Sequence, residues 1–334
     1  MAGELTRKEI NQTPIALRNA LSFAKPLPTL NKGGEHLFVS SGILLYIADA
    51  MARMADMFGI RARALPAQDL FLYRKSLYPA PRAIVMLSRT GEVSENIKAI
   101  QAARQDNVAD FYTGIIGEAG GPLVQLLDQA VECRIYEVSV ATTSTLNAVL
   151  TACTASLLFS AGKSLDVADL HSIPGMAAPL VARLDQEARV LVSLGCKQVM
   201  ILGTGPLYGL AKAAALSIFE MSQVPAVGLH TMVFRHGHKV AVDQDTLMIF
   251  FLSDSGMQEE MAVLEEVQAM GARTAVVGEG VSKIKYCFVS ELGSGVKETV
   301  RLPLYMIFAQ LVGYHLALLV GRNPDAPPRL LKVF

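Results

Sequence analysis

The chain has 334 residues, enough for roughly two domains of ordinary size. Its 30 Lys and Arg balance 30 Asp and Glu, which excludes nucleic acid and an anionic membrane surface as main partners, since both want a basic excess. With 51% hydrophobic and only 18% charged residues, it buries a large core and is not disordered.

Residues 1–34 read as a charged helical arm, and MAGELTRKEINQTP lacks the apolar stretch of a signal peptide. Apolar runs at 36–42, 82–91, 110–117 and 133–140 predict strands. They do not alternate with polar residues, as expected of strands buried on both faces of a parallel sheet. Segments of helical length and period lie between them at 43–58, 92–104 and 121–129. The stretch 138–162 carries no charge and has the length of a membrane span. Its front is crowded with Thr142, Thr143, Ser144, Thr145 and Asn147, which suits a helix N-terminus, so a buried core helix is expected. A helix over 174–194, with Pro174 in its first turn, links the halves. Strands are predicted again at 197–205, 226–232, 245–256, 273–280 and 286–290, and helices at 206–222, 256–270 and 299–320. The alternation implies an α/β chain with doubly wound parallel sheets and right-handed crossovers.

The halves match in detail. The first strand of each ends in a small-residue turn, Ser40-Ser41-Gly42 and Gly203-Thr204-Gly205. A later strand ends in Ser88-Arg89-Thr90-Gly91 and Ser253-Asp254-Ser255-Gly256. Gly42 and Gly205 lie 163 residues apart, and Gly91 and Gly256 lie 165 apart. Two landmarks at nearly one offset indicate a tandem duplication, with a period far too long for a solenoid.

LSRTGEVSEN (87–96) leaves a buried strand, turns through hydroxyls and Gly, and opens a helix. The Ser88 and Thr90 hydroxyls and the free N–H groups of the helix start converge there, a spot that favours a phosphate or another anion. Ligands of open α/β sheets bind at the carboxyl ends of strands, where this turn lies. The same residues also read as an ordinary cap, with Thr90 ahead of a first turn carrying Glu92. The hydroxyl cluster at 142–145, also at a strand end, favours the anion reading, and Arg89 adds charge. Four Cys without C-x-x-C spacing predict neither a zinc knuckle nor disulfides, and a reducing, cytoplasmic setting. His230, His236 and His238 lack i, i+4 spacing and an acidic neighbour, so neither metal nor cofactor is expected.

SRTGEVSEN resembles the Ser-x-Ser-Gly-Glu-Thr phosphate loop of the SIS (sugar isomerase) domain family, and ATTST (141–145) resembles its Ala-Ser-Thr-Lys turn. FEMSQVPAVGLHTMVFRHGH (219–238) is similar to the family's Glu-containing helix followed by its Arg/Lys-His-Gly-Pro loop. The ending NPDAPPRLLKVF (323–334) is similar to the tail of the isomerase half of glutamine–fructose-6-phosphate aminotransferases and related deaminases, and TRKEINQTP (6–14) is typical of that branch. The resemblance implies two tandem SIS domains of three-layer αβα, flavodoxin-like form, at 35–172 and 196–322, joined by the helix 173–195 and followed by a tail 323–334. It implies a phosphorylated sugar as substrate and a homodimer with composite sites. By position, Glu220 matches the proton-transfer carboxylate. His236 matches the ring-opening histidine that relatives take from the neighbouring subunit, and Lys332 the tail lysine that closes over the sugar. Ser41, Gly42, Ser88, Arg89, Thr90 and Thr142 fall in the phosphate- and sugar-binding turns.

Some positions depart from the pattern. His238 replaces Pro, Val93 replaces the phosphate-loop Thr, and the first turn lacks the usual Gly-x-Gly-Thr-Ser. Ala213 and Ser217 stand where the aminotransferases carry Glu and Lys, which argues against amino-sugar synthesis. The chemistry stands without the family. Moving a proton between adjacent sugar carbons needs one carboxylate that acts as base and then acid. Ring opening suits a histidine, and a lysine can polarise the open carbonyl as a Schiff base. Leu216, Ser217 and Gln223, around Glu220 on its helix, offer no cation to neutralise it. The expected function is an isomerase or deaminase converting an (amino)hexose 6-phosphate to a ketose 6-phosphate. The alternative is a non-catalytic sugar-phosphate sensor, in which Glu220 and Lys332 would have no purpose.

Overall fold

The computed structural model describes residues 2–27, 30, 33–73 and 81–330. They form two compact units. One comprises Gln12–Val138 and Thr142–Pro174, and the other 2–11, Ser139–Ala141 and Gly175–Leu330. The N-terminal arm is divided between them. Helix α1 (Glu4–Asn11) belongs to the second-half unit and α2 (Thr13–Phe23) to the first.

The first-half unit runs through β1 (His36–Ser40), α3 (Ile43–Met57), β2 (Ala62–Pro66), α4 (Ala67–Tyr73), β3 (Ala83–Ser88), α5 (Ser94–Gln105), β4 (Phe111–Ile116), β5 (Gln129–Glu132), α6 (Ser144–Ser160) and α7 (Ser164–Leu170). Its five strands are parallel, in the order β2-β1-β3-β4-β5. The core strands β1 and β3 are buried along their whole length, which is why they carry no polar alternation.

The second-half unit holds α8 (Ile173–Val192) from Gly175 onward, then β6 (Gln198–Gly203), α9 (Pro206–Ser222), β7 (Ala226–His230), α10 (Thr231–Phe234), β8 (Thr246–Phe251), α11 (Met257–Ala269), β9 (Arg273–Gly278), β10 (Phe288–Glu291) and α12 (Glu298–Leu319). Its parallel sheet has the order β10-β9-β8-β6-β7. Counted from the first strand of each half, both sheets read 2-1-3-4-5. The glycine after the first strand also repeats its conformation, with φ 61 and ψ −142 at Gly42 and φ 56 and ψ −132 at Gly205. That region is essentially closed to side chains bearing a Cβ, so both turns require glycine.

Two sequence expectations need correction, and one strand goes unforeseen. The strand expected at 133–140 is irregular, and pairing occurs at β5 instead; Arg134 has φ 58, which breaks the extended run. The helix expected at 121–129 is a short 3-10 turn, Pro122–Leu126. Strand β2 was not anticipated, because ARALP is a half-buried edge segment without an apolar run.

Helix α6 is buried on every side over most of its length. Its threonines sit there because the Thr151 and Thr154 hydroxyls donate back to the carbonyls of Asn147 and Leu150, at 2.7 and 2.9 Å. Among the described residues, α12 is the one helix long and apolar enough to cross a membrane, and 78% of its apolar window is buried inside the protein. Helix α9 packs on β7 at backbone distance: a Cβ added to Gly228 would lie 2.4 Å from Ala211 backbone atoms.

Candidate active site

In the first-half unit, β3 ends at Ser88 and the chain turns through Arg89, Thr90 and Gly91 before α5. Ser88 is fully buried, and its hydroxyl accepts the Gly91 N–H at 3.0 Å. The Thr90 hydroxyl accepts the Glu92 N–H at 3.1 Å. Both hydroxyls thus shape the turn, and Gly91 holds φ 73 within it. Next to it, Ser41 donates to Asn96 Oδ1 at 3.0 Å and accepts from Gln68 at 3.3 Å. Gly42 is exposed, with no heavy atom within 4 Å of where a Cβ would stand.

Arg89 does not project as an isolated cation. Its guanidinium donates to the Glu137 carbonyl at 3.1 Å and to Thr142 Oγ1 at 3.4 Å, and its Nε lies 3.8 Å from the carboxylates of both Glu118 and Glu137. Glu137 in turn takes the donors at the start of α6. One of its carboxylate oxygens accepts from Thr143 N–H at 3.0 Å, Thr143 Oγ1 at 2.6 Å and Ser144 Oγ at 3.0 Å. Part of the hydroxyl cluster read as pointing toward an external anion therefore serves an internal one. Ser88, Arg89, Thr90 and Thr142 do come together, through the Arg89–Thr142 bond. Sequence reasoning missed Asn96, Glu118 and Glu137. The available signal was Glu137, the last charged residue before the uncharged run 138–162.

In the second-half unit, Glu220 lies near the end of α9 and is half-buried. It lines a cavity of about 690 Å³ together with Leu216, Phe219, Gln223, Arg322, Pro327, Pro328, Arg329 and Leu330. Its neighbours on α9 named above supply no cation, and Arg322 and Arg329 line the same cavity from beyond α12. Two lining residues, Gln223 and Arg329, adopt left-handed backbone at φ 58 and 66; Gln223 does so as the C-cap of α9, its N–H donating to the Phe219 carbonyl. No sequence spacing announces either conformation.

His236 and His238 are exposed in the turn after α10, and His236 does not line the Glu220 cavity. His230 caps α10, its Nδ1 accepting the Met232 N–H at 3.2 Å. Among the described residues no group of three or more metal-binding side chains occurs. Lys332 lies outside the described residues.

No protein-family model matches the chain. It is 27% identical over 358 residues to the glutamine–fructose-6-phosphate aminotransferase (isomerizing) of Yersinia pseudotuberculosis, a match covering 98% of this chain and 58% of the relative. The chain spans about half the length of the curated relatives it matches. In structure it is similar to the C-terminal domain of the Francisella tularensis glucosamine-fructose-6-phosphate aminotransferase, with a TM-score of 0.82, 20% identity, and coverage of 96% of this chain and 98% of that one. It is equally similar to a glucosamine-6-phosphate deaminase of Thermotoga maritima, with a TM-score of 0.81, 23% identity and 98% coverage of both chains. The chain is homologous to the isomerase half of the glutamine–fructose-6-phosphate aminotransferases, and its two five-stranded parallel sheets share the fold of phosphosugar isomerases and deaminases.

Proposed function

We propose that this chain is a sugar-phosphate isomerase or amino-sugar-phosphate deaminase of the aldose/ketose type, built of tandem SIS domains and acting as a homodimer. The observation that carries the reading is Glu220. It is a half-buried carboxylate at the end of α9, in a cavity also lined by two arginines.

In this mechanism His236, supplied by the neighbouring subunit, takes the proton of the anomeric hydroxyl and returns it to the ring oxygen, opening the sugar. Glu220 removes the C2 proton of the open aldehyde, electrons move to the carbonyl oxygen, and the proton of the C2 hydroxyl passes to that O1 oxyanion, giving an enediolate. The same carboxyl then delivers its proton to C1 as the O2 oxyanion becomes a carbonyl, leaving a ketone at C2. For a 2-amino sugar the transfer leaves an imine at C2, and water hydrolyses it to the ketone with release of ammonia. The Ser88–Gly91 turn, with Arg89 and Thr142, takes the phosphate, and Ser41 and Gly42 bind sugar beside it. Lys332 closes over the open-chain carbonyl.

Glu220→Gln keeps size and shape but removes the proton shuttle. Sugar-phosphate binding is expected to stay within a few-fold, kcat to fall about 10²–10⁴-fold, and exchange of the C2 hydrogen with solvent deuterium to stop. Near-normal turnover and exchange in that variant would refute the mechanism.

A further inference from the structure

The duplicated turn exists in two versions that differ in charge. Helices α5 and α11 follow it and bury the same face: Asn96, Ala99, Ile100 and Ala103 in one, Glu260, Val263, Leu264 and Val267 in the other. That register makes Asn96 and Glu260 equivalent, and Arg89 is equivalent to Asp254. Both turns close alike, with Ser88 Oγ accepting from Gly91 N–H and Ser253 Oγ from Gly256 N–H, each at 3.0 Å.

What fills the second turn differs. Glu260, 1% exposed, places one carboxylate oxygen 2.8 Å from Ser253 N–H and the other 3.1 Å from Ser253 Oγ. A Cβ added to Gly256 would lie 3.5 Å from that carboxylate, so the group packs against the turn itself. Glu298 accepts the next N–H, that of Asp254, at 2.7 Å. Asp254 is held by Arg301, a cation only 1% exposed. Burial raises the Glu260 carboxyl above its ordinary value, and the hydrogen bonds from Ser253 and Thr204 offset only part of that rise. In the first turn the equivalent residue is a neutral amide, which carries no charge to compete with a ligand.

We infer that Glu260 is an internal ligand of the second turn, its carboxylate occupying the place an oxyanion takes in an open copy, so that binding of external anions is confined to the turn at Ser88. The inference rests on reading the first turn as the phosphate site, but its test does not.

Glu260→Ala removes the carboxylate and leaves its two donors on Ser253 facing a space of carboxylate size. This variant is expected to melt about 5–10 °C below wild type. Formate at roughly 0.1 M, with chloride holding ionic strength constant, should restore at least half of that loss while leaving wild type unmoved. Glu260→Asn, which installs the residue of the first copy, is the second variant if the alanine chain does not fold, and is expected to lose stability with a smaller formate response. Ser253→Ala combined with Glu260→Ala should lose the rescue. An alanine variant as stable as wild type, or one that responds to formate no more than wild type does, overturns the inference. Phosphate binding at the first turn is read separately, from Ser88→Ala and Thr90→Ala, so failure of that reading is distinguishable from failure of this one.

Discussion

Glu137 holds the start of α6 and the guanidinium of Arg89 at once, so its removal should be costly. Its side chain has no exposure, and one oxygen accepts three hydrogen bonds, at 3.0, 2.6 and 3.0 Å. Hydrogen bonds to a charged group contribute about 1.5–3 kcal/mol each, so losing three sets an upper bound of about 4.5–9 kcal/mol. Breaking a buried ion pair by removing one partner costs about 3–5 kcal/mol. The two figures describe overlapping losses and are not added. Water entering the vacated space recovers part of the first, so Glu137→Ala is expected to destabilise the first-half unit by about 3–5 kcal/mol. Glu137→Gln keeps the shape and one acceptor oxygen and should lose about 2 kcal/mol. Urea denaturation followed by amide hydrogen exchange along α6 reads the effect in the unit concerned. A loss below about 1 kcal/mol in the alanine variant, with the urea dependence unchanged, would show that the carboxylate is not what holds this helix start.

Two further outcomes are expected. Ser88→Ala with Thr90→Ala should raise KM for a sugar phosphate by the equivalent of about 1–3 kcal/mol, because the turn loses both hydroxyls that close it; unchanged KM would remove this turn from the phosphate site. His315 touches Asp185 at 2.6 Å, and burial, with Arg7 and Arg189 nearby, pushes its pKa down to about 4. The unfolded chain binds that proton near 6.5, so stability should fall as pH drops from about 6.5 toward 4 and change no further from this group below that. His315→Gln should flatten that part of a melting-temperature profile, and an unaltered slope would assign the dependence to other groups.

The fold was legible where burial dictates composition. Buried strands such as β3 and β8, AIVMLS and TLMIFF, admit little but apolar residues, and α6 could be told from a membrane span by the hydroxyls at its start. Strand β2 was illegible because an edge strand is half wet and needs no apolar run. The residues of the first turn were legible because a strand end, a hydroxyl and a glycine in sequence determine a turn locally. The carboxylates that meet them were not. Glu118 and Glu137 reach Arg89 across 29 and 48 positions, and Arg322 and Arg329 enter the Glu220 cavity from about 100 positions away. Such encounters are set by how elements pack, and local sequence carries no record of them.

The unequal filling of the two turns has a thermodynamic consequence. A ligand that must be captured stabilises its unit by an amount that grows with its concentration, about 2.7 kcal/mol at a hundredfold excess over Kd. A carboxylate tethered as Glu260 is tethered is never diluted, so the turn at Ser253 keeps the same stabilisation at every ligand concentration. If the turn at Ser88 takes the phosphate as proposed, withdrawing sugar phosphate should raise amide hydrogen exchange around 88–92 and leave exchange around 253–256 unchanged.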